Sequence, residues 1–276
     1  MTEKSSLKRF AEYLREREKS PATLQKYLRD VRGFLDFAAG RRIGKSDVME
    51  YKEYLAQRYA VTSANSMLAA LNSYFRFCRR DELCVRQFRL QKSAYRDAGR
   101  ELTREEYGRL VRAAEQGRGK RLSLVVQTIC GTGIRVSELA FITVEAARRG
   151  EATVSCKGKT RRIFIVRALQ KKLIGYAAEQ GIARGPVFVT RGGKPVDRSN
   201  IWREMKSLCR RAGVAPEKVF PHNLRHLFAR TFYGLEKDIA KLADILGHSS
   251  INTTRIYIIT TGEEHRRRME NMHLII

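Results

Sequence analysis

Between residue 1 and about residue 88, apolar side chains recur at intervals of three and four, which leaves the first third of this chain a single architecture. Leu7, Phe10, Ala11 and Leu14 make one stripe, and Leu24, Leu28, Val31, Leu35 and Ala38 the next. Val48, Tyr51 and Leu55 make a third, and Met67, Leu68, Leu71, Phe75 and Cys78 a fourth. Each stripe is one face of a helix, because residues three and four apart stack on the same side of a 3.6-residue turn. The breaks carry start and stop signals. Ser20-Pro21 sets a cap before a first-turn proline, Gly40 and Gly44 bracket a turn, Ser46 stands where it can cap the third helix, and the fourth starts near Ser63. Four short amphipathic helices hide their stripes by packing together, so a small bundle is expected.

The periodicity lapses over residues 89–101, which are polar and carry a glycine. A linker over 91–101 would divide the chain into a helical domain, 1–90, and a second domain, 102–276. Arg89, Lys92, Arg96 and Arg100 would suit a strap lying across a phosphate backbone, or are simply solvated. Thr103 and Glu106 form a capping box, opening a helix with Tyr107, Leu110, Val111 and Ala114. Leu122, Val125, Val126 and Ile129 mark the next helix, ending at Gly131, and a glycine turn then starts the helix bearing Arg135. Glu151–Cys156 and Arg162–Val166 are β-rich, with Lys157-Gly158-Lys159-Thr160 as the turn of a hairpin. Val187–Thr190 reads as another short extended piece, and Ser199 as the cap of a helix carrying Ile201, Met205 and Leu208. Helices follow from Pro221 and from Asp238, the second stopped by Gly247, and Ser249 or Ser250 caps a last short one. The fold class expected is mainly α with a small β component: a helical bundle plus a mixed α/β domain.

Charge narrows the partner. Lys plus Arg number 55 against 29 acids, a formal net charge of +26. Such an excess points to a polyanion, most commonly nucleic acid, although a ribosome-associated or membrane-surface protein would share it. On the outer faces of the bundle Lys26, Arg29, Arg32, Arg76 and Arg79 are together read as DNA-contacting. Met1 to Ser6 leads into an amphipathic pattern and not an apolar run, and no stretch approaches the ~18 apolar residues of a membrane span. The five cysteines show no paired CxxC spacing, so neither a disulfide framework nor a zinc site is suggested. Both observations fit a cytoplasmic protein.

Three short motifs hold the reactive groups: Gly131 to Leu139 with Arg135, Pro221 to His226 with His222, Arg225 and His226, and Gly247 to Tyr257 with His248. At 100° per residue, His222, Arg225 and His226 share a narrow face of their helix, with Leu224, Leu227, Phe228 and Thr231 opposite. The apolar side would anchor while imidazole and guanidinium look outward at the helix N-terminus, which already attracts anions. His248, just past a helix-stop glycine, is free to point at a ligand. A tyrosine hydroxyl, with an ordinary pKa of about 10, is a weak nucleophile unless a base or an electropositive site assists it. Arginine forks match the non-bridging oxygens of a phosphate under attack. Taken singly, a tyrosine at a helix end is more often packing, and a histidine at a turn structural. Together the set suits phosphodiester chemistry.

Gly133 to Leu139, His222-Asn223-Leu224-Arg225-His226, and Leu246-Gly247-His248 with Tyr257 nine residues on resemble the tyrosine recombinase family, the phage-integrase and Xer group. The hairpin Lys157 to Arg162 resembles that family's catalytic-lysine hairpin, and Ser20 to Thr23 with Tyr27 and Asp30 the entry to its SAM-like core-binding domain. The likeness runs from about residue 5 to the end and is nearest the short Xer-like members. It implies a site-specific recombinase that cuts and rejoins DNA through a 3′-phosphotyrosine and a Holliday junction. Arg135 and Arg225 would hold the phosphate, His222 assist proton transfer, His248 donate a hydrogen bond, Tyr257 attack, and Lys157, in preference to Lys159, protonate the leaving 5′-oxygen. Glu138 and Asp244 are read as structural supports and His226 as backing the site from behind. No cofactor is implied. The partners would be double-stranded DNA, a homotetramer on two sites joined in trans by the C-terminal tail (Arg266-Arg267-Arg268, then Met269, Met272, Leu274, Ile275 and Ile276), and an accessory or second recombinase protein, with no membrane. Rival readings are a type IB topoisomerase and a non-catalytic DNA-binding relative.

Overall fold

The computed structural model describes residues 3–89, 98–116, 119–156, 159–190, 192–258, 266–267 and 269–272. The chain divides into two compact units, Met1–Lys92 and Ser93–Ile276.

The first unit holds four helices, as the four stripes predict: α1 (Glu3–Glu16), α2 (Pro21–Ala38), α3 (Lys45–Arg58) and α4 (Val61–Phe77). Phe10, Leu14, Val31, Phe34, Leu55, Leu68, Leu71 and Phe75 close on one another in its core. Ser20 caps α2 by accepting the Thr23 N–H, with Pro21 behind it. The third helix starts earlier than Ser46 allows, because Asp47 takes the N–H of Gly44 at 2.8 Å. Two buried asparagines of α4 then hold the chain that follows. Asn72 donates to Val85 O at 2.8 Å and accepts the Val85 N–H at 3.0 Å. Asn65 treats Phe88 in the same way, at 2.9 and 2.8 Å. A side-chain amide offers the donor and acceptor of a peptide group, so each asparagine satisfies a residue that has no strand to pair with. Asp30, buried on α2, pairs with Lys26 and Arg29 of the basic face.

The second unit runs α5 (Arg104–Glu115), α6 (Lys120–Thr132), α7 (Val144–Arg149), β1 (Glu151–Cys156), β2 (Lys159–Phe164), α8 (Arg167–Glu179), α9 (Arg198–Ala212), α10 (Pro221–Glu236), α11 (Ile239–Leu246) and α12 (Ile251–Ile258). One apolar core spans α5 to α10 and includes both strands. A smaller cluster of Ala229, Leu242, Leu246 and Tyr257 joins α10, α11 and α12. The capping box of Thr103 and Glu106 is present, with Thr103 Oγ1 accepting from Glu106 and Glu106 from the Thr103 N–H.

Several local expectations are corrected. Strand β2 starts at Lys159 and not at Arg162, since Cys156 pairs with Lys159 in antiparallel register. Val187–Thr190, expected as a short extended piece, carries an isolated bridge from Val189 to Pro195, with the Val196 N–H bonding Phe188 O, and forms no longer strand. Asp197, not Ser199, caps α9 by accepting from Asn200 at 2.9 Å. Helix α6 runs to Thr132, where Gly133 with φ +66° ends it, and no α-helix carries Arg135. A six-residue 3-10 turn, Val136–Phe141, follows instead, with Arg135 at its start. No described helix is long and apolar enough to cross a membrane.

Candidate active site

Proline suits the first turn of α10 because its missing N–H has no intrahelical partner there. His222 is exposed at this end, as expected. Arg225, one turn on, is only 1% exposed, and His226 is buried beside it. The expectation that the guanidinium looks outward therefore fails. Helix α10 is covered on both sides: Leu224 and Leu227 enter the large core, while α11 and α12 cover the other face. A charge taken so far from water needs acceptors.

Those acceptors are main-chain carbonyls at helix ends. Arg225 Nη1 donates to Gly133 O, at the cap of α6, and Nη2 to Leu246 O at 2.7 Å. Arg135 Nη2 reaches Gly247 O at 3.4 Å, and Arg161 Nη1 reaches Ile245 O at 3.0 Å. Three consecutive carbonyls, 245 to 247, thus each accept from a different arginine, brought in by β2, α10 and the turn after α6. The last carbonyls of a helix have no intrahelical partner and sit at the negative pole of its dipole, so cations collect there.

Glu138 orders the group. Its carboxylate accepts from the Arg135 N–H at 2.7 Å, from Arg135 Nη1 at 2.9 Å and from Arg161 Nη2 at 2.6 Å, and it is only 2% exposed. Burial alone would raise its pKa, but the Arg135 N–H and the Arg161 charge outweigh that and hold it below the usual carboxylate range. Among the described residues it is the only carboxylate paired with any of these three arginines. The pocket therefore keeps an excess of positive charge. Burial first, and the Arg135 charge second, pull Arg225 down to about 10, which leaves it cationic at neutral pH. Its Nε is buried without a hydrogen-bond partner. A buried donor with no acceptor, inside a cationic pocket, is what an oxyanion would satisfy.

Tyr257 enters this pocket from α12. Its ring is 3% exposed and belongs to the small apolar cluster, so the packing reading of a helix-end tyrosine describes one side of it. The other side is polar. Its hydroxyl lies 3.3 Å from His222 Nε2. His226 packs on the ring at 4.2 Å between centroids, and His248 stacks nearly parallel at 5.4 Å.

His248 follows Gly247, whose φ of +64° turns the chain back. Its Nε2 lies 3.0 Å from Arg225 Nη2 and its Nδ1 lies 2.8 Å from Thr254 Oγ1. Arginine only donates, so Nε2 accepts. Burial, then the charges of Arg225, Arg135 and Arg161, lower the ring to about pKa 4, so it is neutral at physiological pH.

Arg135, His222, Arg225, His248 and Tyr257 thus meet around one pocket. Lys157, with Gly158, lies outside the described residues, as do Arg268, Leu274, Ile275 and Ile276 of the tail. Asp244 is exposed and holds Gly247 through its backbone carbonyl, so its side chain supports nothing in the pocket. Two residues of the pocket, Arg161 and Thr254, lie inside the motifs but outside the candidate site residues. Alternation with the buried Ile163 and Ile165 is the sequence signal that marks Arg161 as inward-facing. No sequence signal separates Thr254 from an ordinary helix residue.

Residues 100–264 match the phage integrase family, and residues 7–82 its N-terminal SAM-like domain. Tyrosine recombinase XerA of Thermococcus kodakarensis is 30% identical over 277 residues, covering 98% of this chain and 95% of that protein. A crystal structure of XerA recombinase, 28% identical, covers 100% of both chains with a TM-score of 0.55. A lambda integrase tetramer bound to a Holliday junction, 20% identical, shares the fold with a TM-score of 0.74, over 93% of this chain and 77% of that one.

Proposed function

Since this chain belongs to the phage integrase family and is a site-specific tyrosine recombinase, a DNA strand-transferring enzyme, we propose that Tyr257 is its nucleophile and that the guanidiniums around residues 245–247 are its phosphate clamp. Arg135 and Arg225 hold the non-bridging oxygens of the scissile phosphate. His222 accepts the proton of Tyr257 as the phenolic oxygen bonds to phosphorus. The bond from phosphorus to the 5′-oxygen breaks, and Lys157 gives that oxygen its proton. The product is a 3′-phosphotyrosine and a free 5′-hydroxyl. His248 donates a hydrogen bond to the phosphate during the step. Rejoining to a partner strand runs the same transfers in reverse, so the energy of the broken bond is kept in the link.

One observation carries this reading: the Tyr257 hydroxyl stands 3.3 Å from an imidazole nitrogen of α10, the helix whose Arg225 joins Arg135 and Arg161 at the carbonyls of residues 245–247. The helical unit serves as the core-binding DNA-binding domain, 91–101 as linker and 102–276 as the catalytic domain. The formal charge of +26 supports duplex DNA as the partner, with binding that weakens steeply as salt rises. Four protomers on two DNA sites exchange strands, joined by their C-terminal tails, with an accessory or second recombinase where the site requires one. The tetramer of the lambda integrase structure supports this arrangement. An enzyme of this substrate works where the DNA is, in the cytoplasm. The deciding experiment is covalent trapping on a nicked duplex carrying the site the protein protects. Trapping is expected for the natural chain and lost in Tyr257→Phe. Relaxation of plasmids lacking any defined site would favour a topoisomerase instead, and binding without trapping a non-catalytic relative.

A further inference from the structure

Both ring nitrogens of His248 are held, and their two partners differ in kind. Nε2 faces Arg225, which has only protons to give, and Nδ1 faces the hydroxyl of Thr254, which can give or accept. With these partners the neutral ring must carry its proton on Nδ1, donating to Thr254 Oγ1, while Nε2 accepts. In that tautomer His248 has no proton to offer a phosphate. The role proposed for it requires the opposite one.

We propose that Thr254 is a positioning residue that holds His248 in both tautomers, its hydroxyl accepting from Nδ1 in the free enzyme and donating to Nδ1 once a phosphate draws Arg225 away from Nε2. The ring gains a proton at Nε2 and loses the one at Nδ1, both by exchange with water, so its charge is unchanged. No heavy atom of His248 or Thr254 has to move. Thr254 is 0% exposed, so its hydroxyl is committed to the interior and not to solvent. It also lies on α12, one turn before Tyr257, so the same bond ties the nucleophile's helix to the phosphate pocket. The groups facing the ring are Arg225 and His222 from α10, Arg135 from the turn after α6, Arg161 from β2 and Tyr257 from α12. Besides these, the hydroxyl of Thr254 contacts Nδ1.

The proposal rests on the phosphate-donor role given to His248, and its test separates the two. The full chain, labelled with 15N-histidine, is compared as natural protein, Thr254→Val and Thr254→Ser, free and with inorganic phosphate. The natural protein is expected to show a protonated Nδ1 alone and a protonated Nε2 with phosphate. Thr254→Val, nearly the same shape, is expected to lose this exchange and to trap DNA about tenfold more slowly or worse, the effect of one buried hydrogen bond. Thr254→Ser should restore both. A thermal melt confirms that each variant is folded. Natural tautomers and trapping rate in Thr254→Val would overturn the proposal, and so would a rate lost equally in Thr254→Ser with the tautomers unchanged. Covalent trapping by Tyr257→Phe would instead overturn the reading of the nucleophile.

Discussion

The hydroxyl of Tyr257 and Nε2 of His222 stand 3.3 Å apart within one chain, α12 lying against α10. In the reading proposed above, nucleophile and base therefore come from the same protomer. A mixture of Tyr257→Phe and Arg225→Gln chains should trap no more DNA than either variant alone. Recovery of covalent complex on mixing would mean that the tyrosine crosses to a neighbour. His222→Gln should slow trapping by roughly 10²–10⁴-fold, the span usual for a positioned acid or base.

His248 makes stability depend on pH with a definite sign. Its folded pKa, about 4, lies below the ordinary 6.5, first because of burial and then because of the arginines. Between those values the unfolded chain binds a proton that the folded chain refuses. The contribution of the neutral ring is complete above about 6.5 and is lost as pH falls through 4. Denaturant midpoints measured from pH 8 to pH 4 should decline, and His248→Asn should decline less. In the natural protein the ring should titrate near pH 4, and added inorganic phosphate should move that titration upward.

Two glycines should differ in how badly they tolerate a methyl group. At Gly133, φ is +66° and an added Cβ would meet the Phe228 ring at 2.4 Å. At Gly247, φ is +64° and the Cβ would meet Arg161 Cδ at 2.6 Å. A ring packed in place yields less than a side-chain stem. Gly133→Ala should lose roughly 2–4 kcal/mol, from left-handed strain plus overpacking, and Gly247→Ala roughly 1–2 kcal/mol. Gly247→Ala should nevertheless lose more DNA trapping per unit of stability, because it displaces Arg161 from Ile245 O and Glu138. Urea titrations beside trapping rates check both, and the reverse order of stabilities would refute the packing argument.

Much of this fold is readable from spacing alone. The four stripes of the first unit become four helices because each has one apolar face and nowhere else to place it. The motifs also brought Arg135, His222, Arg225, His248 and Tyr257 forward as candidates, since their types and spacing are local facts. Their surroundings are not. A helical wheel places Arg225 on the right face of α10 but knows nothing of α11 and α12, which cover that face. The carbonyl acceptors of the three arginines are main-chain atoms and leave no mark on the residue types. Arg161 and Thr254 are ordinary residues for a strand and a helix, and matter through partners elsewhere in the chain: Glu138 and Ile245 O for Arg161, and His248 for Thr254. Asp244 misled for the converse reason: it sits beside the motif, yet its side chain faces water.

The row of backbone oxygens at 245 to 247 has one more consequence. Long arginine side chains lose considerable rotational freedom when they settle. Here that loss is incurred while the polypeptide folds, against stand-in acceptors supplied by its own helix end. In the proposed phosphate clamp, a strand would meet guanidiniums already ordered near the site, so its grip on them would go toward the reaction and not toward taming loose side chains.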